Sequence, residues 1–208
     1  MKRTSLVVSV LMVSVIIIFS RCNDAGGKAD AAATEPKDST AVPAYGGFGS
    51  QVAWGSHLVS IGGCNDCHTP KKMTAMGPVN DSSLLLSGHP AGMPLPVVDR
   101  KDMESKGIFL TQTLTYWIGP WGISYAPNIT SDSTGIGAWS EDQFINCIRK
   151  GKWKGLNDAR PLLPPMPWQG ISIMTDDELK ALFAYLKSTP PVRNVVPAPQ
   201  PPVTARKM

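Results

Sequence analysis

The sequence predicts a small, loop-rich fold with three helices, organised around a bound group. Three observations predict it. Three segments, near 50–63, 141–150 and 176–188, carry apolar residues at helical spacing with start and stop signals at their ends. Charged residues are few, at 17%, while Pro and Gly number 19 each, which suits a loop-rich domain organised around a bound group better than a helical bundle. The pentapeptide Cys64-Asn65-Asp66-Cys67-His68 stands directly after the first of these segments.

A CxxCH sequence is the attachment site of a c-type haem. Two thiols three residues apart share one face of a helical turn, so both can bond the same porphyrin. The next residue then carries an imidazole nitrogen to the iron. A zinc site needs two further ligands at suitable spacing, and Cys22, Cys147, His57 and His89 contain no second CxxC or HxxxH pair. A redox dithiol belongs beside a βαβ pattern, which the chain lacks. Haem is therefore favoured over a dithiol or a metal ion, and one copy of the motif predicts one covalently attached haem c.

The chain begins with a leader over 1–21. Lys2 and Arg3 precede the apolar run Leu6–Phe19 of 14 residues, too short for the ~20 of a membrane span and suited to an export signal. Cys22 follows closely, which resembles a bacterial lipoprotein leader, although Arg21 just before it departs from that pattern. An uncleaved anchor and ordinary secretion are the alternatives. Each places the body outside the cytoplasm, on the periplasmic side of a bacterial membrane, and the lipoprotein reading anchors it there through Cys22. Residues 22–45 read as a flexible tether of small and charged residues. Residues 46–195 are the predicted folded domain. The Pro-rich end, set apart as 196–208, is expected to run extended over the surface or into solvent.

Removing the leader's Lys2, Arg3 and Arg21 from the formal +4 leaves about +1, so no basic field for nucleic acid is present. One cationic run, Arg149, Lys150, Lys152 and Lys154, is either a solvated helix end or a docking patch for an acidic redox partner.

The first predicted helix has the stripe Trp54, His57, Leu58, Ile61 and ends at Gly62-Gly63. The second starts at a Ser140/Gln143 capping box, presents Phe144, Cys147 and Ile148, and stops at Gly151. The third starts at a Thr175/Glu178 capping box, presents Leu179, Leu182, Phe183 and Leu186, and is closed by Pro190. Residues 69–139 hold no long period and read as loops, with one possible hairpin inside Gly107–Ile123. Cys147 reads as a buried thiol, His57 as a packed histidine and His89 as a turn residue.

His68 would fill one axial position. Among nine Met, Met166 stands out, because Pro164, Pro165 and Pro167 frame it and restrict its loop. Met174 is the alternative, and Met73 and Met76 are placed on the His68 side of the ring. His57 or His89 as second ligand would give a bis-histidine haem.

Several motifs together resemble class I c-type cytochromes, and among them the haem subunits that partner membrane-bound alcohol and sugar-acid dehydrogenases. They are Gly55-Ser56-His57-Leu58-Val59 leading to the CxxCH, Ala126-Pro127-Asn128-Ile129-Thr130, Thr134-Gly135-Ile136-Gly137-Ala138-Trp139, Pro164-Pro165-Met166-Pro167-Trp168, and Leu182-Phe183-Ala184-Tyr185-Leu186. The resemblance implies an all-α cytochrome c fold with long haem-wrapping loops, first and last helices crossing beside the haem, and His68/Met166 ligation. It also implies that Asn128, Ile129 and Trp139 line the pocket. Arg160, just before the Met166 loop, is the candidate partner of a propionate. Those dehydrogenase subunits usually carry three haems, and this chain has one motif. The expected function is a membrane-tethered, periplasmic monohaem one-electron carrier that meets redox partner proteins, not an enzyme. The alternatives are an electron-transfer subunit of a dehydrogenase or oxidase complex and, further off, a haem enzyme or gas sensor with an open sixth site.

Overall fold

The computed structural model describes residues 44–203. The leader, Cys22, nearly all of the predicted tether and residues 204–208 lie outside them. No helix among the described residues is long and apolar enough to cross a membrane.

Three helices form the frame: α1 (Gln51–Ile61), α4 (Glu141–Lys150) and α6 (Asp176–Ser188). Each has an oxygen side chain at its start that accepts a backbone N–H of the first turn: Ser50 from Ala53, Ser140 from Gln143, Thr175 from Glu178. The box at Thr175 is complete, because the Glu178 carboxylate accepts the Thr175 N–H at 2.7 Å. The box at Ser140 is half made. Gln143 Nε2 donates to the Lys154 carbonyl at 2.9 Å, so that side chain ties α4 to the loop behind it. Gly151 closes α4 at φ +59°, a conformation open to glycine without strain.

The apolar stripes of α4 and α6 are buried as the spacing predicts: Phe144, Cys147 and Ile148 on one, Leu179, Leu182, Phe183 and Leu186 on the other. Phe144 and Phe183 meet at a ring separation of 5.3 Å. On α1 the buried face is Gly55, Leu58 and Val59, while His57 and Ile61 point outward. The cause is the crossing with α6. A methyl on Gly55 would sit 1.8 Å from the Ala181 carbonyl oxygen, so the two backbones touch at a glycine and the inward face turns toward it. His57 is thus not a packed core residue; it lies against Phe48 with ring centroids 4.8 Å apart.

The expected all-α fold holds for the frame, and two antiparallel hairpins add strand to it. β1 (Lys71–Thr74) pairs with β2 (Gly77–Asn80), and β3 (Tyr116–Gly119) pairs with β4 (Gly122–Tyr125). Each has a two-residue loop, and the glycine after it adopts positive φ, +106° at Gly77 and +97° at Gly122. Met73 and Met76 ride on the first hairpin, 79% and 95% exposed, which removes both from the pocket. Among the described residues the remaining α-helices are short: α2 (Cys64–His68), α3 (Arg100–Lys106) and α5 (Trp168–Ile171).

The segment around the second hairpin has its own small core. Tyr116, Ile118 and Ile123 are buried, with Leu95, Val98, Met103 and Leu110 against them. Chain beyond Pro190 packs on this part. Ile123 and Gln200 exchange two backbone hydrogen bonds, at 2.8 and 3.0 Å, and Arg100 donates to the Pro201 carbonyl at 2.7 Å. Asn194 Nδ2 donates to the carbonyls of Ser87 and His89 at 2.7 and 2.8 Å. Chain packed against the folded body therefore continues past 195, through Val203.

Candidate functional site

α1 ends at Gly62, and Gly63 at φ +65° turns the chain directly into α2, a single turn that carries the CxxCH. Its carboxyl end is held from three sides. Lys71 Nζ donates to the carbonyls of Asn65, Asp66 and Thr69 at 3.2, 2.9 and 2.6 Å, a cation placed where unpaired helix carbonyls gather. The Gly88 N–H donates to the His68 carbonyl at 2.7 Å. The Thr69 hydroxyl accepts the Leu86 N–H at 2.9 Å.

Cys64, Cys67 and His68 open onto a cavity of about 480 Å³ between the frame and the wrapping loops. His68 is buried, and its Nδ1 lies 2.8 Å from the Pro127 carbonyl oxygen. A carbonyl only accepts, so Nδ1 carries the proton and Nε2 keeps its lone pair. This arrangement fixes a neutral histidine's ring and tautomer for metal binding. Burial pushes the His68 pKa below its ordinary value, favouring the neutral imidazole that ligates, although the Pro127 contact opposes the shift. Burial also pushes the Cys64 thiol up to about 11 and raises Cys67. A catalytic dithiol is served by a lowered thiol pKa, and burial here acts in the opposite direction.

Met166 lines the same cavity, in the loop between Leu162 and Pro167. The Pro164–Pro165 bond is cis. Met174, the alternative, packs against the frame's core and is not on the cavity wall. His57 and His89 are not on it either.

Asn128, Ile129, Trp139 and Arg160 all line the cavity. The polar atoms of Asn128 are spent on the fold. Nδ2 donates to Thr134 Oγ1 at 3.0 Å and the Val192 carbonyl at 2.8 Å, and Oδ1 accepts the Thr130 N–H at 2.9 Å and its hydroxyl at 2.8 Å. Ile129 and Trp139 offer apolar surface. The Arg160 guanidinium lies 4.4 Å from the centre of the Trp153 ring, and Lys154 stands on the same wall. The rest of the cationic run is dispersed: Arg149 pairs with Asp176 at 2.6 Å, and Lys150 donates to Asn157 at 3.1 Å.

The sequence does not point to the Pro127 carbonyl, the Lys71 cap, Trp153, or the wall formed by Val196, Pro197, Ala198 and Pro199. A backbone carbonyl has no side-chain signature, and the wall from the end of the chain depends on where β4 runs. His89, expected in a turn, is fully buried, its Nδ1 3.0 Å from the Thr115 hydroxyl and its ring between Tyr116 and Tyr125. Cys147 is a buried thiol on the cavity wall.

Paired thiols on one turn, an imidazole with a free Nε2, a thioether and a largely apolar cavity fit a c-type haem. That is the class of site the fold defines. No family model matches the chain. It is 29% identical over 165 residues to the alcohol dehydrogenase (quinone), cytochrome c subunit, of Gluconacetobacter polyoxogenes, a match that covers 76% of this chain and 28% of that protein. It is 40% identical over 67 residues to the gluconate 2-dehydrogenase cytochrome c subunit of Pantoea cypripedii, 32% of this chain and 14% of that protein. It is 37% identical over 68 residues to the fructose dehydrogenase cytochrome subunit of Gluconobacter japonicus, 32% of this chain and 13% of that protein. The chain thus spans less than a third of the length of each. It resembles the cytochrome c subunits of dehydrogenases.

Proposed function

We propose that this chain is a monohaem c-type cytochrome that relays single electrons as a subunit working with a dehydrogenase. The observation that carries it is the convergence of Cys64, Cys67, His68 and Met166 on one apolar cavity, with His68 Nδ1 engaged by Pro127. Bound haem c supplies a one-electron Fe(III)/Fe(II) couple. Cys64 and Cys67 would hold it covalently, and His68 Nε2 and the Met166 sulfur would bind its iron. The apolar wall keeps water away, which together with a Met ligand raises the reduction potential. Arg160 and Lys154 place positive charge on the wall for the propionates. With His68 and Met166 both on the iron, the chain would pass electrons and leave no metal site open to substrate.

Of the carrier and subunit readings, the subunit is favoured, because the relatives are by name subunits of dehydrogenases. Residues 1–21 act as an export leader, Cys22 as a lipid anchor and 22–45 as tether, with the body on the periplasmic side of a bacterial membrane. The leader's charge pattern and apolar run support this.

The test is affinity purification of tagged chain from its own membranes. Expected is one haem per chain by intact mass, residues 1–21 absent, and co-elution with a dehydrogenase whose substrate reduces the haem. Isolation of the chain alone, with its haem unreduced by any dehydrogenase substrate added to those membranes, would return the function to a free carrier.

A further inference from the structure

The loop that carries Met166 is stiff but poorly fastened. Pro164, Pro165 and Pro167 have no N–H, so the segment 163–167 has only the Leu163 and Met166 amides to donate. Met166 N–H turns inward to the Leu163 carbonyl at 3.3 Å, and the Trp168 N–H bonds the Met166 carbonyl at 2.9 Å. These bonds set the loop's shape and leave its position against the cavity unset. Among the described residues, Ser124 is the one side chain outside the segment that hydrogen-bonds it: its hydroxyl donates to the Pro164 carbonyl at 2.6 Å.

That hydroxyl is oriented. Trp121 Nε1–H donates to Ser124 Oγ at 3.0 Å, so the oxygen accepts from the indole and its proton is directed at Pro164. A donor chain of this kind strengthens its second bond. Ser124 is buried in β4 and has a rigid base. Its neighbour Ile123 is bonded on one side to Gln200 and pairs on the other with Ile118, and Trp117 stands directly across from Ser124. Leu110 pairs with Ile118 on the other edge, so the hairpin is braced on both, while the loop's other bonds from outside come only from the backbone of the short helix that follows it, at Trp168, Gly170 and Ile171.

We propose that Ser124, oriented by Trp121, is a positioning residue that holds the Pro164–Met166 loop against the cavity and so keeps Met166 in place as the second axial ligand. The proposal rests on Met166 ligation and goes beyond it in naming what secures the ligand. Release of Met166 then requires breaking the Ser124–Pro164 bond. Loss of one such hydrogen bond corresponds to about a tenfold faster release.

The experiment uses full-length haem-loaded ferric protein, with imidazole as the competing ligand. Two quantities are read: the weak far-red sulfur–iron band, and the limiting rate of imidazole binding at saturation, which reports Met166 release. Ser124→Ala should keep the far-red band without imidazole and raise the limiting rate about tenfold. Ser124→Thr, which keeps a hydroxyl, should return the rate toward wild type. Trp121→Phe should raise it a few-fold. A wild-type limiting rate in Ser124→Ala, with the band abolished by Met166→Ala, would overturn the clamp and leave the ligation standing. A band that survives Met166→Ala would overturn both. Should Ser124→Ala not accumulate with haem, Trp121→Phe decides: a few-fold rise supports the clamp and a wild-type rate overturns it.

Discussion

The frame of α1, α4 and α6 and the wrapping chain of 69–139 and 190–203 form two sides of one cavity, yet different forces hold them. The frame is apolar: Leu58, Val59, Phe144, Ile148, Leu179 and Leu182 are all buried, and burying one such side chain contributes about 1.5–3 kcal/mol. The wrap has a far smaller apolar cluster, centred on Tyr116, Ile118 and Ile123. Polar brackets hold the rest: Asn128 and Asn194 each gather distant backbone groups, Arg100 reaches Pro201, and Ser131 donates to the Thr189 carbonyl at 2.6 Å. Cys64, Cys67 and His68 stand on α2, which follows α1 of the frame directly. The wrap supplies the Pro127 carbonyl that sets the His68 tautomer and the Ser124 hydroxyl that ties down the Met166 loop. Under the proposed function, α2 beside the frame would anchor the haem and the wrap would tune it.

The largest way to break this contrast is at the helix crossing. Gly55→Ala puts a methyl 1.8 Å from the Ala181 carbonyl oxygen and 2.8 Å from Tyr185 Cβ, so α1 must lift from α6. We expect a loss of about 3 kcal/mol or more in urea unfolding, with frame and wrap melting together. A change below about 1 kcal/mol would mean that the crossing is not as close as described.

Asn128→Ala attacks the wrap alone. It strands the buried Thr130 N–H and leaves the Val192 carbonyl only the Thr130 hydroxyl at 3.5 Å, at about 2 kcal/mol. Hydrogen exchange should rise at 128–134 and 190–194 while α1 and α6 stay protected. A uniform rise would show that the two parts do not open separately.

The smallest effect is a pH slope. Burial holds the His89 pKa below its ordinary value, so below about 6.5 the unfolded chain binds a proton that the folded chain refuses. Stability from this group is therefore complete above that pH and is lost as pH falls through the window between the two values. Urea midpoints of haem-loaded protein between pH 7.5 and 5 should fall on acidification, and less in His89→Gln. An equal slope in that variant would acquit His89.

What can be read from the chain follows the same division. α4 and α6 are legible because their burial repeats every three to four residues and their caps are local, at Ser140, Thr175 and Gly151. Of the stripe expected on α1, Leu58 is buried and Trp54 packs on the core, while His57 and Ile61 turn outward because the key contact is Gly55, which has no side chain for a pattern to register. α3 escapes sequence reading although Asp99 caps its start and Gly107 its end, since Met103 is its only large apolar residue. In the wrap, local sequence misleads. Gly88-His89-Pro90 reads as a turn, but Thr115, Tyr116 and Tyr125 arrive from far along the chain to bury the ring. The site itself is largely legible, because CxxCH and the proline-framed Met166 are local patterns. What sets and holds those ligands is not, because the bond from Ser124 to Pro164 spans 40 positions and that from His68 to Pro127 spans 59.

Under the proposed function, His68 and Met166 would both bind the haem iron and leave no open position on it. The most direct test is the optical spectrum of the purified haem-loaded protein, ferric and ferrous, with and without carbon monoxide. Filled positions predict a low-spin spectrum with a weak far-red sulfur–iron band in the ferric form and no response of the ferrous form to carbon monoxide. A high-spin ferric form, or ready carbon monoxide binding, would contradict this and reopen the sixth position to a haem enzyme or gas sensor.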